Sequence, residues 1–246
     1  MKKLLLAGAI VAAAVAPAQA EILKSNFQVG VGYWFEVGTD SEASNQGDET
    51  VITAEFRAKT DWGSSMARGL IENIGSTKES PNGLEIATFK TFSTTLYDLD
   101  DSNFSVWIDH QTVSNTKIAD NHLRTGFSYA KKFGDVAFRM SLAPEYYFGH
   151  SPQDDADSIH LFGRTTASYA WTNKFSQMLM FENVNFRNER LQDAIGWKEH
   201  GYHYMLMSNY AFTKDFVGHL QWHHFKSFGG YKYDGTSLFL NFTYKI

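Results

Sequence analysis

Residues 52–61 read Ile-Thr-Ala-Glu-Phe-Arg-Ala-Lys-Thr-Asp, and their alternation is the clearest indication of secondary structure in the chain. The even positions from 52 to 58 are apolar and the odd positions are polar or charged: Ile52, Ala54, Phe56 and Ala58 against Thr53, Glu55, Arg57, Lys59 and Asp61. Successive side chains of a β-strand point to opposite faces of the sheet. The stretch therefore predicts a strand with one apolar face and one charged face.

The same period of two recurs along most of the chain. It is clear in residues 27–37, 104–109, 123–129, 136–145, 159–171, 216–223 and 238–246. Three further segments, 65–74, 84–92 and 175–186, carry apolar residues on both faces. Their register is not fixed by the pattern, because a slip of one residue moves every side chain to the other face.

The composition conflicts with an ordinary soluble protein. Aromatic residues make up 15% of the chain, yet the mean hydropathy is negative. No run of about 18 apolar residues follows residue 20, which excludes a helical membrane span. Only helices and closed barrels satisfy every backbone polar group in lipid, so an integral membrane protein with this sequence is a β-barrel. A soluble β-sandwich or lipocalin-like barrel is the alternative, since its strands alternate too.

The first 20 residues have the pattern of a secretory signal peptide. Lys2 and Lys3 precede an apolar stretch, residues 4–15, and the cleavage pattern is Ala-Gln-Ala at 18–20. We expect residues 21–246 to form a single outer-membrane barrel domain. The chain has no cysteine and a net charge of −5. A disulfide framework is therefore absent, and the acidic balance argues against nucleic-acid binding.

The connections between strands alternate between short and long. Short ones are predicted at 61–64, 132–135, 171–174 and 213–215, and long polar ones at 38–50, 75–82, 114–121, 149–157, 187–200 and 229–236. Six long loops predict twelve strands, because outer-membrane barrels join their strands by short periplasmic turns and longer extracellular loops. The connection 93–103 breaks the rule by being long where a short turn is expected.

Aromatic residues fall near the predicted strand ends, as girdles at the two membrane interfaces require. Trp62, Phe133, Trp171, Phe212 and Tyr244 are expected at the lower rim. Those expected at the upper rim are Tyr33, Tyr146, Tyr202 and Trp222. A soluble sandwich gives no reason for either girdle, so the pattern favours an all-β, transmembrane, antiparallel up-and-down barrel.

If the apolar face meets lipid, the charged face lines the lumen, and twelve strands leave a narrow passage. The predicted lining is Glu55, Arg57, Lys59, Asp61, Trp107, Asp109, Arg124, Arg139, Glu145, Tyr147, Arg164, His219 and His223. Both charge signs and several rings suit small polar solutes, which need no cofactor. The alternative is that these charges pair across the lumen and plug it, as in a structural or adhesive barrel or a phage receptor.

The stretch Glu55 to Trp62 also resembles a known family. It is similar to the second-strand region of the Tsx/OmpK nucleoside-specific outer-membrane channels, and Lys59, Asp61 and Trp62 form its most specific part. Residues 83–104 and 235–246 are similar to that family as well. The resemblance implies a monomeric, twelve-stranded barrel that passes nucleosides by diffusion through weak binding sites.

An outer-membrane enzyme that modifies lipid is a third possibility. His150 and Ser151 are adjacent, but neighbours on a strand point to opposite faces, so the histidine cannot activate that serine. His219 and His223 are about 13 Å apart along a strand, too far to share a zinc ion. The acidic turns at 98–103 and 154–157 lack the glycine and glutamate of a calcium loop. The sequence therefore predicts neither catalytic residues nor a metal site.

An outer-membrane location implies further partners. The barrel wall would contact membrane lipid and lipopolysaccharide, and the barrel-assembly machinery would insert the chain. The extracellular loops would be open to phages or colicins.

Overall fold

The computed structural model describes residues 21–37, 49–73, 87–100, 102–115, 119–150, 155–228 and 231–246. Twelve antiparallel strands follow one another around a closed barrel, and the last pairs with the first. They are β1 (Ile22–Glu36), β2 (Glu49–Thr60), β3 (Gly63–Glu72), β4 (Thr88–Asp98), β5 (Phe104–Ser114), β6 (Ala119–Phe133), β7 (Val136–His150), β8 (Asp155–Ala170), β9 (Phe175–Asn185), β10 (Gly201–Ala211), β11 (Phe216–Phe228) and β12 (Tyr231–Lys245). The predicted fold class, strand number and up-and-down order are confirmed.

Some sequence-based expectations lie outside the described residues. They are the signal peptide (1–20) and the parts of the predicted loops at 38–48, 74–86, 116–118, 151–154 and 229–230. Asp101 lies outside them as well.

The apolar side chains lie on the outside of the barrel. In β2, Ile52 is 44% exposed and Phe56 is 39% exposed, whereas Thr53 and Glu55 are buried in the lumen. The same alternation holds in the other strands: the outward set includes Val31, Phe35, Phe104, Phe127, Leu142, Ile159, Leu179, Leu220 and Phe242. A soluble barrel or sandwich buries its apolar face. The alternative of a soluble β protein is therefore wrong for this chain.

The structure fixes the register of the ambiguous segments. In β3 the even positions face the lumen, which places Arg68 beside Glu55 of β2. In β9 the even positions face it too, because Glu182 contacts lumenal groups and Leu179 is exposed outside. The lumenal face of these strands also carries apolar residues such as Leu70 and Val184. That mixture is why the alternation was unclear in the sequence.

The barrel has a short-turn end and a long-loop end. The turns at 61–62, 134–135, 171–174 and 212–215 are short, as predicted. Two of the predicted long loops, 149–157 and 229–236, are shorter than expected, because β7 continues to His150, β8 begins at Asp155 and β12 begins at Tyr231. At these positions the strands continue through polar residues, beyond the part of the wall whose outward side chains are apolar. The connection predicted at 93–103 is also shorter than expected, because β4 runs to Asp98 and β5 begins at Phe104.

A short helix, α1 (Glu189–Ile195), lies in the connection from β9 to β10 and was not predicted. The Asn188 side chain accepts a hydrogen bond from the Leu191 amide at its start, and Gly196 ends it in the left-handed region at φ 70°. Both are common helix end signals. Leu191 is fully buried against Tyr147 of the lumen. Within the described ranges, no helix has the length and apolar character that crossing a membrane requires.

The aromatic residues expected at the lower rim lie at the short-turn end, as predicted. At the short-turn end, Trp171 and Tyr244 are more than half exposed, and Trp62 stacks on Tyr97 with ring centroids 6.0 Å apart. Of the residues expected at the upper rim, Tyr146 lies in the half of β7 nearer the long-loop end and is 40% exposed, whereas Trp222 lies at the middle of β11.

Candidate lumenal site

A row of directly paired charged residues crosses four neighbouring strands inside the barrel. Sheet pairing places Asp109 of β5 opposite Arg124 of β6, and Arg124 opposite Glu145 of β7. The Arg124 guanidinium donates to Asp109 Oδ2 at 2.6 Å and makes a short ion pair with Glu145. Glu145 Oε1 lies 2.7 Å from His160 Nε2 and 2.9 Å from His122 Nδ1. Each carboxylate in the row is therefore held by at least one cationic or hydrogen-bonding partner.

Arg164 carries this network to the next strands. Its guanidinium donates to Asp109 Oδ1 at 3.1 Å and to Glu182 Oε1 at 2.6 Å. Glu182 Oε2 lies 2.8 Å from His203 Nδ1, and His203 Nε2 lies 2.9 Å from His223 Nδ1. The two imidazole rings are stacked, with centroids 5.1 Å apart. Fixed polar contacts thus run around the lumenal wall from β5 to β11.

Aromatic and aliphatic side chains fill the space beside this network. Phe162 is fully buried, and the Arg124 guanidinium lies 3.8 Å from its ring centre. Phe162 belongs to a cluster drawn from β4 to β9, with Phe228 of β11 against it: Leu96, Trp107, Ala143, Phe162 and Val184. A second cluster covers the opposite wall: Trp34, Val51, Leu70 and Phe239.

We call the ionic network and these two clusters the central plug. Its members are Asp109, Arg124, Glu145, Arg164, Glu182, His122, His160, His203 and His223 with the residues of both clusters. Trp107 is 1% exposed and Arg124 is 3% exposed, whereas Arg164 keeps 23% of its side chain exposed, so the plug is most tightly packed around Trp107 and Arg124.

The loop that contains α1 covers the plug at the long-loop end. Arg187 is buried, and its Nη1 donates to the carbonyl oxygens of Lys198 and Ser227 at 3.0 and 2.9 Å. Its guanidinium also lies 4.6 Å from the centre of the Trp197 ring. Burial lowers the pKa of Arg187 to about 10, although the Glu145 carboxylate acts in the opposite direction.

The short-turn end of the lumen is open by contrast. We call the lumenal side chains Lys24, Asn26, Arg57, Lys59 and Arg139 the lower vestibule. Arg57 keeps 60% of its side chain exposed while it donates to Glu55 at 2.5 Å. A cavity of about 240 Å³ is lined by Lys24, Arg57 and Lys59. The vestibule therefore has accessible positive charge that the plug lacks.

The structure brings together some of the predicted lining residues and separates others. Trp107, Asp109, Arg124, Glu145 and Arg164 meet in the plug, and Tyr147 lies above it with its hydroxyl donating to Asp120 at 2.7 Å. Asp61 lies in the exposed turn after β2, which ends at Thr60, and not on a strand of the wall.

The two histidines of β11 have separate partners. His219 contacts Asn209 and Thr243, whereas His223 belongs to the plug. The described residues contain no group of three or more His, Cys, Asp or Glu side chains arranged to hold a metal ion.

Several plug residues were not identified from the sequence: Glu182, His122, His160, His203, Phe162, Trp34 and Phe239. Glu182 lies in a segment whose register was ambiguous. His122 follows a stretch that was assigned to a loop. Phe162 and Phe239 are apolar residues on a face expected to be polar. A search for aromatic residues at even positions of 158–166, in phase with His160 and Arg164, would have found Phe162.

One plug contact bears on the enzyme alternative. Ser158 Oγ lies 3.3 Å from His160 Nδ1, and His160 Nε2 contacts Glu145. Serine, histidine and a carboxylate in this order resemble a nucleophile with its base. Ser158 is only 3% exposed, however, and Arg124 neutralises the other Glu145 oxygen. A substrate reaches this serine only if the plug opens. The pair considered from the sequence, His150 and Ser151, cannot be compared, because those side chains lie outside the described ones.

Comparison with known proteins shows the fold. No family model matches the chain. No curated protein matches its sequence either. Among solved structures, the NanC porin is similar at a TM-score of 0.60 and 11% identity, covering 89% of this chain and 100% of the other. The KdgM porin in complex with disordered oligogalacturonate has a TM-score of 0.54 at 8% identity, covering 89% and 99%. An outer-membrane channel from Pseudomonas putida F1 gives 0.53 at 12% identity, covering 94% and 100%.

The three structures are described as outer-membrane porins or channels, and this chain shares their closed barrel. At these identities the similarity concerns the fold.

Proposed function

We propose that the chain is an outer-membrane channel for small polar solutes whose lumen is closed at the centre in this conformation. The observation that carries the proposal is the inverted barrel, with apolar residues outside and a lining of both charge signs inside. Such a wall is stable in lipid and lets a polar solute exchange its water for side-chain contacts. Similarity to porin structures supports the same reading.

Passage requires the plug to rearrange. Arg124 and Arg164 each bridge two carboxylates on neighbouring elements of the wall, and each has a ring against its guanidinium face. A solute with hydroxyl groups and a planar ring can replace these contacts one at a time. Nucleosides have that chemistry, and the resemblance of residues 55–62 to the Tsx/OmpK channels supports them as the solute class.

The remaining assignments follow from this location. Residues 1–20 would direct export, the long-loop end would face the exterior, and the lower vestibule would face the periplasm. The barrel would act as a monomer in contact with lipopolysaccharide, after insertion by the barrel-assembly machinery. Its loops would be available to phages or colicins. The proposal includes no cofactor and no enzymatic step.

A structural barrel with a permanently closed lumen is the second candidate. The plug favours it, because its central ion pairs are buried and compensated within the wall. In that case the barrel stabilises a surface of loops and transports nothing.

Conductance in a planar bilayer separates the two candidates. A channel gives discrete current steps that added nucleoside reduces, whereas a permanently closed barrel gives none. Liposome swelling with nucleosides and with sugars of equal size then identifies the solute class. Equal swelling rates would reject nucleoside selectivity but keep the channel, and the absence of both current and swelling would reject the channel itself.

The predicted lumenal residues provide the matched variants. In a channel, Arg164→Ala changes nucleoside uptake, because the side chain lies between Asp109 and Glu182 in the plug. Lys214→Ala is the control, because Lys214 lies in a turn with 90% of its side chain exposed. If Arg164→Ala lowers stability without altering uptake of any solute, the structural barrel is the better description.

A further inference from the structure

Two neighbouring strands carry the same tripeptide, Met-Leu-Met. It occupies residues 178–180 in β9 and residues 205–207 in β10. The chain has 7 methionines, and four of them are in these two tripeptides. This concentration is separate from the charged and aromatic residues that support channel function.

The sheet register brings the four methionines together. Met178 is paired with Met207, and Met180 is paired with Met205. Directly paired residues lie on the same face, with Cβ atoms about 4.5–5.5 Å apart. The central leucines, Leu179 and Leu206, are exposed on the outer wall. The four thioethers therefore form one patch on the lumenal wall.

The patch lies between the plug and the short-turn end. Met180 is two residues from Glu182, and Met205 is two residues from His203, both of which belong to the plug. Met205 is buried, and the other three methionines are half-buried. On the neighbouring strands the residues paired with the patch are polar: Thr166, Ser168, Gln221 and His223.

Packing alone does not explain this choice of residue. The two apolar clusters of the plug use leucine, valine, alanine and aromatic residues, and no methionine. Leucine fills a similar volume and is interchangeable with methionine in many cores. Methionine differs from leucine in its polarisable sulfur, which is a soft donor for metal ions.

We propose that Met178, Met180, Met205 and Met207 bind a soft monovalent metal ion of the Cu(I) class through their thioether sulfurs. Thioethers select such ions over the hard divalent cations, which prefer carboxylate and carbonyl oxygens. His223 is paired with Met205 and lies at the edge of the site. The site goes beyond the proposed channel function, and it exists whether the lumen opens or stays closed.

Silver(I) is the probe, because it has the same soft character and needs no reductant. The purified barrel in detergent is incubated with silver nitrate in chloride-free buffer and then desalted, and the retained metal is counted by mass spectrometry. We expect retention of a single ion per chain and sulfur in its first coordination shell by X-ray absorption. Magnesium at the same concentration is not retained.

Met→Leu variants assign the ligands. Met180→Leu with Met205→Leu removes one facing pair, and Met178→Leu with Met207→Leu removes the other. Either double variant is expected to lose the ion while keeping the difference in gel migration between unheated and heated samples that marks a folded barrel. The control is Met66→Leu with Met140→Leu, because Met140 faces outward and Met66 lies on β3, away from the patch. This control retains the ion.

Three results overturn the proposal: no silver retained by the native protein, undiminished retention in both patch variants, or a first shell of nitrogen and oxygen alone. In the last two cases other groups hold the ion, and the methionine patch serves packing only. None of these results bears on conductance, so failure of the metal site leaves the channel proposal standing.

Discussion

The central plug and the lower vestibule lie in the lumen of the same barrel, but their charged side chains differ in burial and in the number of their partners. In the plug, Arg124 lies between two carboxylates and has 3% of its side chain exposed. In the vestibule, Arg57 has one carboxylate partner and 60% exposure. Lys24 and Lys59 are directly paired across β1 and β2, although like charges opposite each other are unfavourable. Arg124 and Arg57 are both arginines, so it is the packing of neighbouring side chains, and not the residue type, that decides whether a lumenal charge is buried in ion pairs or accessible to a solute.

The largest expected effect comes from Arg124→Ala. The substitution leaves Asp109 and Glu145 buried with one cationic partner fewer, and breaking such a pair costs about 3–5 kcal/mol. The free energy of unfolding in lipid vesicles, measured by urea titration, should fall by that amount. A loss below that of the exposed Arg57→Ala variant would contradict the distinction between plug and vestibule.

Phe162→Ala is expected to have the second largest effect on the free energy of unfolding. Removing a fully buried ring leaves a cavity in the plug and costs about 3 kcal/mol. Because the cavity lies in the lumen, single-channel conductance should also rise. The control is Phe127→Ala, whose ring is 61% exposed on the outer wall. Equal conductance in the two variants would mean that Phe162 does not obstruct the passage.

A smaller effect is expected where the loop covers the plug. Asn188→Ala removes the hydrogen bond to the Leu191 amide, and the loss of such a helix cap costs about 1 kcal/mol. Limited proteolysis within 187–200 should become faster, with little change in the unfolding of the whole barrel. Asn188→Asp keeps an acceptor at this position and should restore protection; faster cleavage in that variant as well would assign the effect to something other than the cap.

The smallest effect on stability is expected in the vestibule. Lys59→Ala removes an exposed cation, and exposed charge interactions contribute about 0–1 kcal/mol. Its consequence should be seen in ion selectivity instead. In a salt gradient, the reversal potential of the variant channel should shift towards cation preference, and a shift that persists at high salt would indicate a cause other than screened surface charge.

The barrel could be predicted from the sequence because one face of each strand is apolar and turned outward, whereas the other face lines the lumen and carries polar residues. Residues 52–59 alternate without exception, and other strands such as the one at 136–145 repeat the pattern, so strand number and orientation followed. Loop length was predicted less well. Residues 231–236 belong to β12, and their polar character reflects a strand that continues beyond the apolar belt rather than a loop.

The plug was only partly predictable, because pairing between strands decides it. The charges of Asp109, Arg124 and Glu145 were visible as lumenal residues, but their contacts depend on the registers of β5, β6 and β7. Glu182 was hidden among Met178, Met180 and Val184 on the same face. A period of two separates the faces of a strand and gives no information on how well a lumen is filled.

The pairing of β1 with β12 has a consequence for biogenesis. Gln28 lies opposite Lys245, so the barrel closes only after the chain has been synthesised as far as β12. Until then, the open sheet has two unpaired edge strands and an exposed apolar face. Both features promote aggregation. A nascent chain that stops before residue 231 cannot form the pairing of β1 with β12. Closure of the barrel therefore depends on the fifteen-residue strand β12.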